Sequence, residues 1–391
     1  MNEKPVFDYP LFKMGFRVFF ALAGLSALAL LALWNSLSNG SLHLGHYFSG
    51  NAWHAHEMLF GYTAAVIAGF LLTAVKNWTG EITTTPDQLA GLSLLWLYGR
   101  VLPFYAELLP DALIAAVDVA FLPSLAYFLV RPILKAQQFT NLLFVGLLLV
   151  MAIANGLIHA QELGFSASSA GLGMNLVLAI IVLMILVIAG RVFPFFTERG
   201  LSGVVCIRNP MLDVVACGLS LSVFVLMMSD ISGILLTLVA LAAAVANLLR
   251  VSAWYDARIW YVPLLWVLYV GYGWLILGFV LVALSAFQWV IPVLALHAFT
   301  LGGIGVLTLG MMARVTLGHT GRVLRASNIM ALAFLMLNLA GLIRVILPAV
   351  LPDWYSGFVW AASYGWLAAF SLFVYHYLPM LLATRVDGQQ G

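Results

Sequence analysis

Trp53-His54-Ala55-His56-Glu57-Met58 places two imidazoles and a carboxylate at the start of a long apolar run that continues to Gly80. Imidazole is the commonest protein metal ligand, and a neighbouring carboxylate can orient a ring by accepting its other N–H. Ionisable groups at membrane depth are costly, so they mark function by default. His54 and His56 are two residues apart, a rotation of about 200° on a helix. Their rings therefore point to opposite faces and share one metal only if the helix begins after them. Otherwise they serve two centres, or one supports the other's ligand. The plain alternative is a pair of polar residues at a helix entrance.

The elements that must position these groups are membrane helices. The chain is 64% hydrophobic and 8% charged, against about 25% charged in a soluble domain. Its net charge of +2 is too small to point to nucleic acid. A spanning helix needs about 20 apolar residues. Twelve such runs occur, at 15–34, 54–76, 89–109, 111–130, 139–160, 171–192, 210–229, 231–250, 259–283, 287–313, 327–348 and 356–380. The expected fold is all-α, a single polytopic transmembrane domain over residues 1–391. Asp8, Lys13 and Arg17 lead into an apolar stretch that ends near Trp34 with no small-residue cleavage site, so it reads as a span rather than a cleaved signal.

Fifteen of the 17 Lys and Arg residues fall at one side of this arrangement. The positive-inside rule makes that side, and both termini, cytoplasmic. Cys206 then lies in a cytoplasmic loop, where a disulfide with Cys217 is not expected. Two arginines break the pattern. Arg100 in the third run and Arg344 in the eleventh sit roughly 15 and 25 Å above the inner ends. Each needs an anionic partner or a watery cavity. Asp118, Glu107 or helix carbonyls can supply it in a structural pairing, or the arginine is the counter-ion of an anionic cofactor group such as a haem propionate.

The same map puts His43, His46, His54, His56, His159 and His297 in the outer half and His319 and His376 at the inner surface. His297 and His319 are separated by about 33 Å if their helix is continuous. Helices 2, 5 and 10 thus each bring a histidine to one outer layer, and His46 in an outer loop is a further copper candidate. An offset of 241 residues aligns His56 with His297, Gly61 with Gly302, Gly69 with Gly310 and Thr79-Gly80 with Thr320-Gly321. Arg191-Val192 parallels Arg314-Val315, compatible with three four-helix repeats. Membrane repeats commonly meet at a functional site.

Imidazoles without a cysteine or carboxylate set suit haem iron and copper. The absence of a Cys-x-x-Cys-His motif excludes covalent c-type haem, leaving haem b held by one or two histidines. His56 and His297 are the expected haem ligands, with Arg100 and Arg344 as its charge partners. His54 and His159 are the expected copper ligands, and Glu57, Glu107 or Glu162 can carry protons on the outer side, with Glu57 the expected catalytic residue. The glycines of helices 2 and 10 admit either a flat macrocycle or a close helix neighbour.

GFRVFF at 15–20, WHAHEMLFGY at 53–62, AGFLLTAVKNWTG at 68–80, GRVFPFFTERG at 190–200 and HAFTLGGIGVLTLGMMARVTLGHTGR at 297–322 resemble the NnrS family of bacterial inner-membrane proteins. The likeness spans almost the whole chain. Family members more often show Pro where this chain has Val18. The resemblance implies twelve helices, bound haem and copper, and a role against nitric oxide. By position, His54, His56, His159, His297 and His319 match the family pattern. Three functions compete: reduction of nitric oxide with electrons from a quinol or a small redox protein, a non-catalytic haem sensor or scavenger, and a transporter of a metal or small solute.

Overall fold

The computed structural model describes residue 7 and residues 9–42 and 47–389. Among these the protein is all-helical. Eleven helices are long and apolar enough to cross a membrane: α1 (Gly15–Ser38), α2 (Gly50–Thr79), α4 (Asp111–Lys135), α5 (Phe139–Glu162), α6 (Ser169–Gly200), α7 (Pro210–Met228), α8 (Ile234–Ser252), α9 (Pro263–Ser285), α10 (Pro292–His319), α11 (Asn328–Val350) and α12 (Pro352–Leu382). The twelfth, α3 (Pro86–Val101), is shorter. Thr85 starts it with a reciprocal capping box to Gln88, which satisfies two otherwise orphaned N–H groups. Pro103 lacks an N–H, so the helix tightens into a 3-10 turn at Leu102–Tyr105 instead of running on to residue 109.

Two other expected boundaries move. α2 begins at Gly50, ahead of both histidines, so His54 and His56 do diverge around one helix. α6 continues through Pro194 to Gly200, into a stretch expected as loop.

The chain forms two compact units. The first comprises Met1–Ile180, Val315–Arg322 and Val374–Gly391, and the second Ile181–Arg314 and Val323–Phe373. In the first unit α2 is the central helix: 89% of its most apolar window is buried inside the protein. With no hydrophobic drive between helices in lipid, close contact depends on small residues. Gly15 lies against Leu72, and Gly69 lies against the ring of Phe20 and the Cβ of Phe19. In the second unit α7 has only 22% of such a window buried, and α8 exposes Leu238, Val245, Leu248 and Leu249. Those faces match the acyl chains of a membrane. Gly302, Gly303 and Gly310 of α10 take up Trp274, Leu275 and Val267. The glycines of this helix therefore serve helix packing and not a macrocycle.

Three helices contain π-helical stretches, at Glu57–Thr63 in α2, Ala298–Gly305 in α10 and Leu342–Ile346 in α11. The first two begin one residue after His56 and His297. The third contains Arg344. A π stretch inserts one residue per turn, rotates the helix beyond it, and is found mostly at functional sites. The alignment of His56 with His297 thus has a counterpart in backbone geometry. α6, the third copy suggested by Arg191-Val192, is α-helical from Ser169 to Gly200.

Candidate metal centre

Most of the buried charge of the first unit lies in one place. Asp118 of α4, His56 and Glu57 of α2, Arg100 of α3, and Asn155 and His159 of α5 are all at least nine-tenths buried. Asp118 is the hub. Its Oδ1 accepts from Nη2 of Arg100. Its Oδ2 lies 2.8 Å from Nε2 of His159, 3.1 Å from Nε2 of His56 and 3.0 Å from Nδ2 of Asn155. Any side chain at position 99 would be driven into Asp118, since a Cβ there would lie 2.6 Å from Oδ1. Gly99 is what lets α3 bring Arg100 so close to α4.

The far nitrogen of each imidazole is also held. Nδ1 of His56 is 3.2 Å from Oε1 of Glu57, which also accepts from Nη1 of Arg100 at 2.7 Å. Nδ1 of His159 is 2.6 Å from the hydroxyl of Tyr47. Burial, reinforced by the charge of Asp118, pushes the Tyr47 phenol up, so it remains protonated at neutral pH. Oxygen groups behind both Nδ1 atoms turn both Nε2 atoms toward Asp118. Phe48 and Phe60 flank the His56 ring, with centroids 4.9 and 5.0 Å away.

His56, Asp118 and His159 can offer one ligand atom each, all within 4.8 Å of one another. Two imidazoles and a carboxylate form an N,N,O donor set, and ligating histidines typically have their other ring nitrogen held by a carboxylate or hydrogen-bonding oxygen. The set fits a small cation. It does not fit a macrocycle at His56, whose ring nitrogens meet Glu57, Asn155 and Asp118 while aromatic rings cover its faces.

The expected site residues therefore separate. His56, Glu57, Arg100 and His159 come together. His159 stands with His56 and not with His54, whose half-buried ring packs on Trp34 at 4.5 Å. His297 and Arg344 belong to the second unit. Nδ1 of His297 is 2.9 Å from the Val293 carbonyl, which makes Nδ1 the donor and Nε2 the lone-pair nitrogen. Arg344 is 7% exposed. Its Nη2 donates to the Tyr355 hydroxyl at 3.0 Å, while its buried Nη1 has no partner among the described residues. His319 lies at the C-terminal end of α10, beside Phe16 and Asn77. His43 and His46 lie outside the described residues.

Three participants carried no role of their own in the sequence reading: Asp118 as a ligand, Asn155 and Tyr47. Asp118 was legible, being an acid seven residues into an apolar run and subject to the same depth argument as Arg100. Asn155 carries no charge, and Tyr47 lies in a loop whose path no periodicity foretells.

No curated protein matches this sequence. Residues 10–385 match the family model described as NnrS protein. That span takes in all twelve helices and every side chain of the buried group, and the chain belongs to the NnrS family.

Proposed function

We propose that this chain is a haem- and copper-binding protein of a bacterial inner membrane that counters nitric oxide. The observation that carries the reading is the convergence of two imidazole Nε2 atoms on one buried carboxylate oxygen. Copper suits imidazole-rich sites, and His56, Asp118 and His159 would hold it. Haem b is assigned to His297 in the second unit, with the unmatched Nη1 of Arg344 receiving a propionate. When bound, these groups supply metal centres that take nitric oxide as a ligand and exchange single electrons.

The chain's own residues supply the rest. Tyr47 and Glu57 fix the two ring orientations. Arg100 sets one positive charge between the carboxylates of Glu57 and Asp118. Oε2 of Glu57 is buried and has no hydrogen-bond partner among the described residues, which makes it the atom to take up and release a proton. Reduction would follow the balance of two nitric oxide, two protons and two electrons giving nitrous oxide and water. A quinol or a small redox protein is the electron source. A sensor or scavenger would hold the same groups without turnover.

Metal analysis, a haem assay and a nitric oxide electrode test this on the purified protein. Copper near one per chain, a Soret band, and consumption of nitric oxide that continues while quinol is supplied are expected. Consumption that stops after one equivalent would assign storage or sensing. Protein isolated with neither copper nor haem would sink the reading.

The proposal includes cytoplasmic termini, on the distribution of Lys and Arg. Phe165 and Val323 are each 82% exposed in connections on opposite sides of that map. In intact cells, a membrane-impermeant thiol reagent should label Phe165→Cys and spare Val323→Cys. The reverse pattern would overturn the orientation.

A further inference from the structure

Asn155 lies one turn before His159 on the same face of α5 and is 1% exposed. Its amide stands between two of the three atoms that converge in the buried group. Nδ2 lies 3.0 Å from Oδ2 of Asp118, and Oδ1 lies 2.9 Å from Nε2 of His56. Building on the copper reading of this centre, we propose that Asn155 Oδ1 is its fourth ligand, beside His56, Asp118 and His159. The resulting set of two nitrogens and two oxygens selects a divalent cation over monovalent copper.

The neighbours of the amide fix which way it faces. An ionised carboxylate accepts hydrogen bonds and cannot donate them. The edge of Asn155 that faces Asp118 is therefore its NH2 group, and Oδ1 faces His56. Turning the amide over would set Oδ1 against Oδ2 of Asp118 and take a donor away from the carboxylate. Oδ1 thus meets Nε2 of His56 at hydrogen-bond distance, a contact that holds only while Nε2 carries a hydrogen. A histidine that ligates through Nε2 gives the lone pair of that atom to the metal. Two lone pairs 2.9 Å apart repel each other unless one cation accepts both. An amide oxygen left unmatched at this depth is costly, so the cation that takes Nε2 of His56 also takes Oδ1 of Asn155.

The second oxygen decides the class of cation. Thiolate and thioether are the soft groups that select monovalent copper, whereas carboxylate and carbonyl oxygens suit harder, divalent ions. No cysteine is in the group. Imidazole serves copper, iron and zinc alike, so the two histidines leave the choice to Asp118 and Asn155. Two histidines with one carboxylate are also the donor set of non-haem ferrous sites. Among divalent first-row ions copper binds a given site of nitrogen and oxygen most tightly. Copper therefore remains the expected occupant, in its divalent state, with zinc and ferrous iron as competitors.

The test uses full-length, metal-stripped protein in detergent, titrated without oxygen against Cu(II), Cu(I) and Zn(II) in competition with chelators of known affinity. Asn155→Leu should bind Cu(II) and Zn(II) at least tenfold more weakly than wild type, with Cu(I) affinity changed less than threefold. Asn155→Asp separates a ligand from a support. It keeps an oxygen for the metal but sets a second carboxylate against Asp118. If Asn155 only steadied Asp118 and His56 by hydrogen bonds, Asp would be the worse replacement. As a ligand it is the better one, and Asn155→Asp should bind Cu(II) at least as tightly as wild type. Its Cu(II) EPR spectrum should shift in hyperfine splitting while coupling to two imidazole nitrogens persists. Should Asn155→Leu fail to fold, the affinity and spectrum of Asn155→Asp decide. Cu(II) binding that Asn155→Leu keeps or Asn155→Asp loses overturns the fourth ligand and leaves the three-residue centre standing. Equal weakening of Cu(I) and Cu(II) in Asn155→Leu overturns the selectivity. Wild-type protein that binds none of the three ions would sink the centre itself, and the fourth ligand with it.

Discussion

Asp118→Ala should abolish the proposed copper binding and cost the protein several kcal/mol of stability. Among the described residues, Asp118 alone touches Arg100, His56, Asn155 and His159 together. Its removal leaves Arg100 with Glu57 alone and takes away the oxygen on which both Nε2 atoms converge. Breaking one partner out of a buried ion pair costs roughly 3–5 kcal/mol. Asp118→Asn is the more telling variant. It retains size and one carbonyl oxygen while removing the charge that balances Arg100 and a bound cation. It should fold, with a thermal midpoint a few degrees below wild type, and copper content should fall at least tenfold. Copper analysis on monodisperse protein checks this, and full copper in Asp118→Asn would remove the His56–Asp118–His159 centre.

Much of this site could be read along the chain, and the reason is physical. Charge inside lipid is so costly that every buried ionisable residue is informative. His56, Glu57, Arg100 and His159 stood out on that ground, as did Arg344 and His297. The 200° rotation between His54 and His56 correctly separated them once the helix was seen to start at Gly50. Which helices are neighbours is another matter. Apolar helices in lipid are chosen by packing, through contacts such as Gly99 on Asp118 and Gly69 on Phe20, and hydropathy carries no record of these. His159 was therefore assigned to the wrong histidine of the pair. The π stretches were equally hidden, because one extra residue per turn changes the hydrogen-bond pattern and not the composition.

The two arginines that break the positive-inside pattern should respond in opposite ways to the same substitution. Arg100 donates to Oε1 of Glu57 and Oδ1 of Asp118. Its charge is matched, and Arg100→Leu leaves two carboxylates buried without a cation. A loss of roughly 3–5 kcal/mol is expected, with poor recovery of folded protein and no recovery of copper. Among the described residues Arg344 has one neutral partner, the Tyr355 hydroxyl, and lies over the Tyr355 ring at 5.1 Å. A well-packed apolar replacement there removes a desolvation cost, and such replacements are often neutral or stabilising. Arg344→Leu should thus fold at least as well as wild type when prepared without haem. Its haem content should drop several-fold, and the pH dependence of the remaining haem potential should flatten, because a propionate loses its cation. Arg344→Lys should keep the charge without the planar fork and fall between the two. Haem titration of the apoprotein, followed at the Soret band beside a thermal melt, separates these effects. An Arg344→Leu protein with full haem affinity and a lowered melting temperature would make Arg344 a structural residue, and the haem would then need a different anchor in the second unit.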